Sequence, residues 1–257
     1  MAWTVLVTGG SSGIGFELAK RFARDGHRLV LVARDEGRLA RAAGELEIFG
    51  ERPSCMATDL AQPSAPFEIV RRLEEAGQAV DVLVNNAGFG LHGPFVDADV
   101  EAVLDLVRVN VLALTALTRL LLPGMLERGD GRVLNVASTA AYFPGPFMAV
   151  YYASKAFVLS FSEGLANELR GTGVRVTALC PPATATGFAS RAGAASSRLF
   201  RFGVADAAKV ADAGYRGLRR GRAVVVPGTF ARLSTFSARL APQALLANVV
   251  RNLHAKA

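Results

Sequence analysis

The feature that most limits the fold of this chain is an alternation of short apolar runs, rich in β-branched residues and leucine, with helix-length stretches whose apolar residues lie three and four apart. The runs fall at Thr4–Thr8, Arg28–Ala33, Ser54–Ala57, 81–85, 132–137, Val174–Leu179 and 223–227. Runs of this kind without polar alternation are read as strands buried on both faces. Between them Phe16, Leu18, Ala19, Phe22 and Ala23, and later Val103, Leu104, Leu106 and Val107, make helical stripes. Parallel strands need a crossover over one face of the sheet. The order therefore predicts an α/β fold, a doubly wound parallel sheet of about seven strands with helices on both faces.

A chain of 257 residues that is 51% hydrophobic can bury one large core, and neither a long linker nor a repeat divides it. The apolar stretch around residues 111–122 is interrupted by Thr115, Thr118 and Arg119, short of the ~20 apolar residues of a membrane span. Met1-Ala2-Trp3-Thr4 runs straight into the first strand with no basic segment or cleavage site, so a cytoplasmic location is expected. Cys55 and Cys180 belong to no CxxC or Cys/His cluster; neither a disulfide framework nor a metal site is expected, and both are read as reduced, buried strand residues. The net charge of +7 is uneven, because the last acid is Asp212 and eight Lys or Arg follow it. That asymmetry points to one anionic contact surface, and without any nucleic-acid-binding pattern it does not predict a nucleic-acid partner.

Thr8-Gly9-Gly10-Ser11-Ser12-Gly13-Ile14-Gly15 follows the first strand and opens the first helix. There a dinucleotide pyrophosphate can lie against free N–H groups and the positive helix end, and glycine lets the backbone come close. Gly9, Ser11, Ser12, Gly13, Ile14 and Gly15 are the expected cradle. This TGxxxGIG pattern resembles the short-chain dehydrogenase/reductase family. The likeness continues in order through Asp59-Leu60, Asn85-Asn86-Ala87-Gly88, Asn110, Ser138 and Tyr151-x-x-x-Lys155, covering roughly residues 4 to 227.

The resemblance implies that Asp59, with Leu60, meets the adenine, that Asn85, Asn86, Ala87 and Gly88 brace the sheet beside the cofactor, and that Asn110 holds a water in a proton relay. Taken singly, a helix cap, a strand-ending turn and a helix-bending residue would explain them as well. In NAD-using members a carboxylate ends the second strand, about 18 residues beyond the last cradle glycine; here that place is Ala33, with Arg34 beside it. Arg34 suits a 2′-phosphate and NADP(H) is expected. Asp35 is either a ribose ligand, which would favour NAD, or the cap of the second helix.

Tyr151 and Lys155 share a helix face at four-residue spacing, and an ammonium beside a phenol is expected to lower the tyrosine pKa from about 10. Such a tyrosine can exchange a proton with a carbonyl oxygen, while Ser138 at the end of the fifth strand could bond the same oxygen. Tyr152 lies off the YxxxK register and is read as a packing residue. No triad partner for Ser138 is expected from His27, His92 or His254; His27 is read as exposed and His92 as a polar loop group. The expected activity is NADP(H)-dependent hydride transfer to or from a mainly apolar carbonyl compound or secondary alcohol. The alternatives are an NAD-linked alcohol dehydrogenase and a cofactor-binding sensor or membrane-peripheral protein with little turnover.

Two departures from the family stand out. Pro181-Pro182-Ala183-Thr184-Ala185-Thr186 has proline where the family has glycine, which fixes φ at Pro182 and removes an N–H; Pro181, Thr184 N–H and the Thr186 hydroxyl are the expected hold on the carboxamide. Residues 184–205, with Phe188, Leu199, Phe200 and Phe202, are read as an apolar flap. The chain also continues past Pro227. Phe230, Leu233, Phe236 and Leu240, then after Pro242 Leu245, Leu246, Val249, Val250 and Leu253, predict two amphipathic helices with Arg232, Arg239, Arg251 and Lys256 at polar positions. The expected division is thus a Rossmann-like domain over 1–228 and a basic extension over 229–257. The extension is read as a cover for the subunit or its cleft, or as a contact for a membrane or acidic carrier. By resemblance, helices over 109–126 and 151–170 pair two subunits, giving a homodimer or homotetramer.

Overall fold

The computed structural model describes residues 2–195, 197–198 and 204–254. A seven-stranded sheet runs through it: β1 (Thr4–Thr8), β2 (Arg28–Ala33), β3 (Ser54–Ala57), β4 (Val82–Asn85), β5 (Gly131–Val136), β6 (Val174–Leu179) and β7 (Val224–Val225). The spatial order is β3-β2-β1-β4-β5-β6-β7 and every pairing is parallel, with Thr4 beside Arg28 and Val5 beside Val82. This is the doubly wound sheet predicted from the alternation. Strand order reverses at β1, so a crevice opens between the carboxyl ends of β1 and β4.

The helices are α1 (Gly13–Arg24), α2 (Glu36–Glu47), α3 (Ala65–Glu75), α4 (Val100–Val107), α5 (Leu114–Glu127), α6 (Ala149–Glu168), the short α7 (Phe188–Arg191), α8 (Ala207–Arg219), α9 (Thr229–Ala238) and α10 (Gln243–His254). Side chains alternate across the strands. Val5, Val7, Leu29, Leu31, Val82 and Val84 pack with Leu18 and Phe22 of α1, Leu39 and Leu46 of α2, and Tyr215 and Leu218 of α8. Leu6, Val30, Val32 and Leu83 face the other way, onto Ile69 and Leu73 of α3 and Leu117 and Met125 of α5. Both faces are thus covered, which is why the strands carry so few polar residues.

Cys55 corrects an expectation: it is exposed, because β3 is an edge strand, whereas Cys180 is buried. His27 is likewise only partly exposed. Its ring stacks on Trp3 at 4.6 Å, and its Nδ1 accepts the Trp3 N–H at 3.2 Å. Residues 108–113 are not continuous α-helix, since Arg108–Ala113 forms a π turn between α4 and α5. The chain after Pro182 stays extended far enough for Thr184 to pair with Ala205 in a parallel bridge, Ala185 N–H donating to Ala205 O. Of the expected flap, Leu199, Phe200 and Phe202 lie outside the described residues, as does Lys256 of the tail. The two tail helices form on either side of Pro242. Among the described residues, no helix is long and apolar enough to cross a membrane.

Candidate active site

The residues expected to cradle a pyrophosphate lie at the mouth of the β1/β4 crevice. Gly9 and Gly13 have φ of +64° and +58°, the left-handed region where a side chain is strained. A Cβ on Gly9 would lie 2.7 Å from Asn86 Nδ2, and one on Gly15 would lie 2.4 Å from Gly9 O, so the turn closes only with glycine. Asn86 holds it shut: its amide donates to Thr8 O at 3.0 Å and Gly9 O at 3.1 Å, and its N–H donates to Thr8 Oγ1. Helices α2, α4 and α8 each begin with an aspartate whose carboxylate accepts a first-turn N–H. Ser12 at the start of α1 makes no such bond, which leaves first-turn amides and the positive helix end toward the crevice. A glycine-only turn against an uncapped helix end fits a dinucleotide phosphate group. The site residues named below fit the rest of a nicotinamide dinucleotide.

At the end of β2, Asp35 is the cap of α2. Its Oδ1 accepts Arg38 N–H at 2.9 Å and its Oδ2 lies 3.3 Å from Arg38 Nε. Arg34 is exposed beside it. Arg191, at the end of α7, joins them: burial, then the charges of Arg38 and Arg34, hold its pKa below the ordinary arginine value. Three guanidinium groups therefore gather at this end of the crevice, with Asp35 paired to one of them. Arg191 was not legible in sequence, since nothing local ties α7 to β2. Asp59 Oδ1 accepts Ala61 N–H at 3.1 Å in a turn after β3, and Leu60 is buried behind it.

The catalytic candidates converge from three elements. Ser138 leaves β5, its Oγ accepting Ala140 N–H at 3.1 Å and donating to Pro181 O at 3.4 Å. Tyr151 and Lys155 rise from the first turns of α6, with Lys155 Nζ 5.9 Å from the Tyr151 ring centroid. Lys155 is buried and donates to Val136 O at 2.7 Å. Asn110, also buried, sits in the π turn. Its amide donates to Phe89 O and Ser154 Oγ, both at 3.0 Å, and its Oδ1 accepts Phe89 N–H at 3.1 Å. A Cβ on Gly88 would lie 3.0 Å from Asn110 Oδ1 and 3.4 Å from Lys155 Nζ, so Gly88 is where these two groups meet. The side chain of Asn110 is spent on protein, which leaves backbone of the π turn as the part able to hold a water. Asn85 turns away from the crevice, donating to Thr118 Oγ1 at 3.0 Å and Asn135 Oδ1 at 2.9 Å.

The expected lowering of the tyrosine pKa by Lys155 is corrected. Burial pushes the Tyr151 phenol up to about 12, and the group opposing that rise is the Ser138 hydroxyl. Burial also lowers Lys155 to about 8. Desolvation acts on both charged forms, and the ammonium faces a carbonyl of β5, so it does not offset the cost of a phenolate. Across the site, Thr184 Oγ1 donates to Pro182 O, and Thr186 Oγ1 accepts Phe188 N–H. A Cβ on Gly13 would lie 3.1 Å from Thr186 Cγ2, so this loop folds over the cradle.

The wall of the cleft comes from residues that no motif announces. Met148, Tyr152, Ala192, Ala194 and Val250 form one buried cluster, with Tyr151 and Phe188 packed against it. Tyr152 is a packing residue, as expected, but its hydroxyl also has a partner, His254 Nε2 at 2.7 Å. His92 Nε2 bonds His254 O at 3.1 Å. The last turn of α10 is thus pinned between α6 and the loop after β4. Burial, then the neighbouring His92, lowers His254 to about 4. A separation of 102 residues leaves no local signal for the Tyr152–His254 pair.

A family model for short chain dehydrogenase matches residues 3–196. The ketoacyl reductase HetN of Nostoc sp. is 35% identical over 178 residues, which are 69% of this chain and 62% of that protein. The chain spans about three fifths of the length of curated relatives that it matches. A short-chain dehydrogenase from Sphingobium yanoikuyae, solved in complex with NADPH, superposes with a TM-score of 0.83 at 37% identity, covering 94% of each chain. A member from Burkholderia phymatum, solved with NAD, gives 0.82 at 27% identity, covering 91% of this chain and 92% of that one. With a matched family model over most of its length and the cradle, crevice and Ser138, Tyr151 and Lys155 set in place, the chain belongs to the short-chain dehydrogenase family.

Proposed function

We propose that the protein is an NADP(H)-dependent reductase of a mainly apolar carbonyl compound, a ketone or 3-oxoacyl derivative being the substrate class. The observation that carries this reading is the convergence on Tyr151 of the Ser138 hydroxyl and of Lys155, whose ammonium lies beside Gly88. Nicotinamide, when bound, supplies or accepts the hydride. Gly9, Ser11, Ser12, Gly13, Ile14 and Gly15 would hold the pyrophosphate, Asp59 and Leu60 the adenine, and Arg34 with Arg191 the 2′-phosphate. Backbone of Asn86, Ala87 and Gly88, with Tyr151 and Lys155, would line the nicotinamide ribose, and Pro181, Thr184 and Thr186 the carboxamide.

The chain's own residues handle the proton and the oxygen. Tyr151 Oη holds the proton that passes to the carbonyl oxygen in reduction, and the Ser138 hydroxyl bonds that same oxygen and orients it. With its pKa pushed up to about 12 by burial, the Tyr151 phenol is protonated at neutral pH, the form that donates in the reductive direction. Lys155, held by its bond to Val136 O, would line the ribose, and the π turn at Asn110 offers a path for reprotonation from water. An apolar substrate is supported by the wall of Met148, Phe188, Ala192 and Val250. NADP is supported by three gathered guanidinium groups and an Asp35 already used as a cap. HetN, a ketoacyl reductase, is in keeping with the substrate class. Exposed apolar residues on α4 and α6, such as Leu104 and Phe157, support a homodimer.

The test is oxidation of NADPH, followed by absorbance, with a panel of apolar ketones and 3-oxoacyl thioesters. Turnover with NADPH above that with NADH is expected, and Tyr151→Phe should lower kcat at least ~10²-fold while NADPH still binds. Full activity in Tyr151→Phe would remove the tyrosine from its role.

A further inference from the structure

Helix α9 is packed with its small side chains inward. Its buried residues are Ala231, Thr235 and Ala238, and Thr235 satisfies its own hydroxyl by donating to Ala231 O at 2.9 Å. At about 100° per residue, Phe230, Leu233, Phe236 and Leu240 fall on the opposite side, and they are 84%, 68%, 64% and 77% exposed. A helix that served only to cover the protein would bury phenylalanine and leucine and expose alanine, since burial gain scales with apolar area. Helix α10 does bury its large side chains Leu246, Val250 and His254, with Leu245, Val249 and Leu253 exposed along the adjoining stripe.

The charge carried by this end of the chain has one sign. No acid follows Asp212, while eight Lys or Arg do. Arg232 and Arg239 lie on α9 between the buried side and the apolar side. Arg232 Nε donates to Val226 O, and the Arg239 guanidinium lies 5.3 Å over the Tyr142 ring and 3.7 Å from Glu163. Arg251 lies 5.5 Å over Phe147. Arg232 and Arg251 have no carboxylate partner among the described residues. Arg232 and Arg239 thus edge the apolar ridge of α9 instead of occupying its centre, and Arg251 adds a further cation on α10.

We propose that α9, with α10 beside it, docks this protein on an anionic lipid bilayer, the apolar ridge entering the headgroup boundary and the flanking arginines meeting lipid phosphates. An interfacial helix has this layout, with apolar residues along one side and basic side chains reaching outward from its edge. A second copy seated on the same face would bring together two helices that carry arginines and no acid of their own, which like-charge repulsion opposes. An acidic protein would call for cations at the centre of the patch, and the centre is Leu233 and Leu240.

The experiment is co-sedimentation of the full chain with vesicles of phosphatidylcholine alone and of phosphatidylcholine mixed with phosphatidylglycerol. Binding to the anionic vesicles is expected, at least about tenfold weaker on neutral vesicles or in high salt. Each basic residue near such a surface contributes roughly fivefold, so Arg232→Gln with Arg251→Gln should weaken binding about tenfold or more. Phe230→Ser, Leu233→Ser and Leu240→Ser together should abolish it, with thermal unfolding and NADPH binding unchanged. Failure of the wild-type chain to sediment with anionic vesicles overturns the proposal, and so does undiminished binding by the triple serine variant. A halved mass of that variant in light scattering would make the face an interface between copies, and binding to polyglutamate that matches binding to vesicles would make it a contact for acidic protein. Vesicle binding needs no turnover, so its outcome is independent of the reductase reading.

Discussion

At the scale of single residues, the candidate site is organised by the cost of burying charge. Lys155 at about 8 holds its ammonium in the fold at a penalty of about 3 kcal/mol near neutral pH relative to an unfolded lysine. Replacing it with methionine keeps the stem and removes that penalty, at the loss of one bond to Val136 O. The sign follows from proton counts. Between pH 8 and about 10.5 the unfolded chain keeps the lysine proton and the folded chain has lost it, so wild-type stability rises with pH against Lys155→Met across that window. Urea unfolding of both proteins at pH 7.5 and 10 should show the gap moving in favour of wild type by up to about 3 kcal/mol, with Lys155→Met inactive throughout; a constant gap would mean that Lys155 is not desolvated. Arg34 answers a second question. A charge-assisted bond to a phosphate contributes about 1.5–3 kcal/mol, so Arg34→Ala should weaken NADPH roughly ten- to a hundredfold and leave NADH nearly unchanged. Equal losses for the two cofactors in fluorescence titration would remove the 2′-phosphate contact.

At the scale of elements, what the sequence showed is what depends on near neighbours. Buried strands appear as uninterrupted apolar runs, and β1, β2 and β6 keep the predicted bounds because helices cover both their faces, while β3 keeps them at the exposed edge by pairing with β2. The predicted run over 223–227 shrinks to Val224–Val225, the two residues that pair with β6. The glycine cradle and the tyrosine–lysine spacing were legible because each is a local geometry. The π turn at Asn110 was not, since apolar periodicity does not distinguish i→i+4 from i→i+5 bonds. Nor was the wall from α10, which depends on contacts across 102 residues. That wall makes its own prediction. His254 is lowered to about 4, so between pH 6.5 and 4 the unfolded chain binds a proton that the folded chain refuses, and stability falls as pH falls through that window. His254→Ala should therefore flatten the acid limb by on the order of 2 kcal/mol, while costing about 1–3 kcal/mol at pH 7.5 by leaving the buried Tyr152 hydroxyl unpaired. It should also raise KM more than it lowers kcat, because a wall and not a proton donor is lost. An acid limb equal to wild type in urea titrations would show that His254 is charged or solvated in the fold.

At the scale of the whole molecule, the sheet leaves the protein with more apolar helix surface than it covers. Val100 and Leu104 of α4, Leu112 of the π turn and Phe157 of α6 are exposed, and Phe157 stacks on Phe161 at 5.8 Å, which fixes its ring on the surface. These elements are next to one another, since α4 and the π turn both lie against α6. A contiguous apolar area here is best buried by the same area on a second subunit, because a two-fold interface is self-complementary and needs no other partner. The protein should thus scatter light as at least a dimer of its 27.1 kDa chain at micromolar concentration. Leu112→Glu with Phe157→Glu should return it to a monomer, since burying the interface would then desolvate two carboxylates on each subunit. The catalytic consequence follows from position. Leu112 stands in the same π turn as Asn110, whose amide holds Phe89 and Ser154, so loss of the interface should loosen that turn and lower kcat while the cradle still binds NADPH. A wild-type protein that is monomeric at micromolar concentration, or a charged variant that stays dimeric, would place the interface elsewhere on the chain.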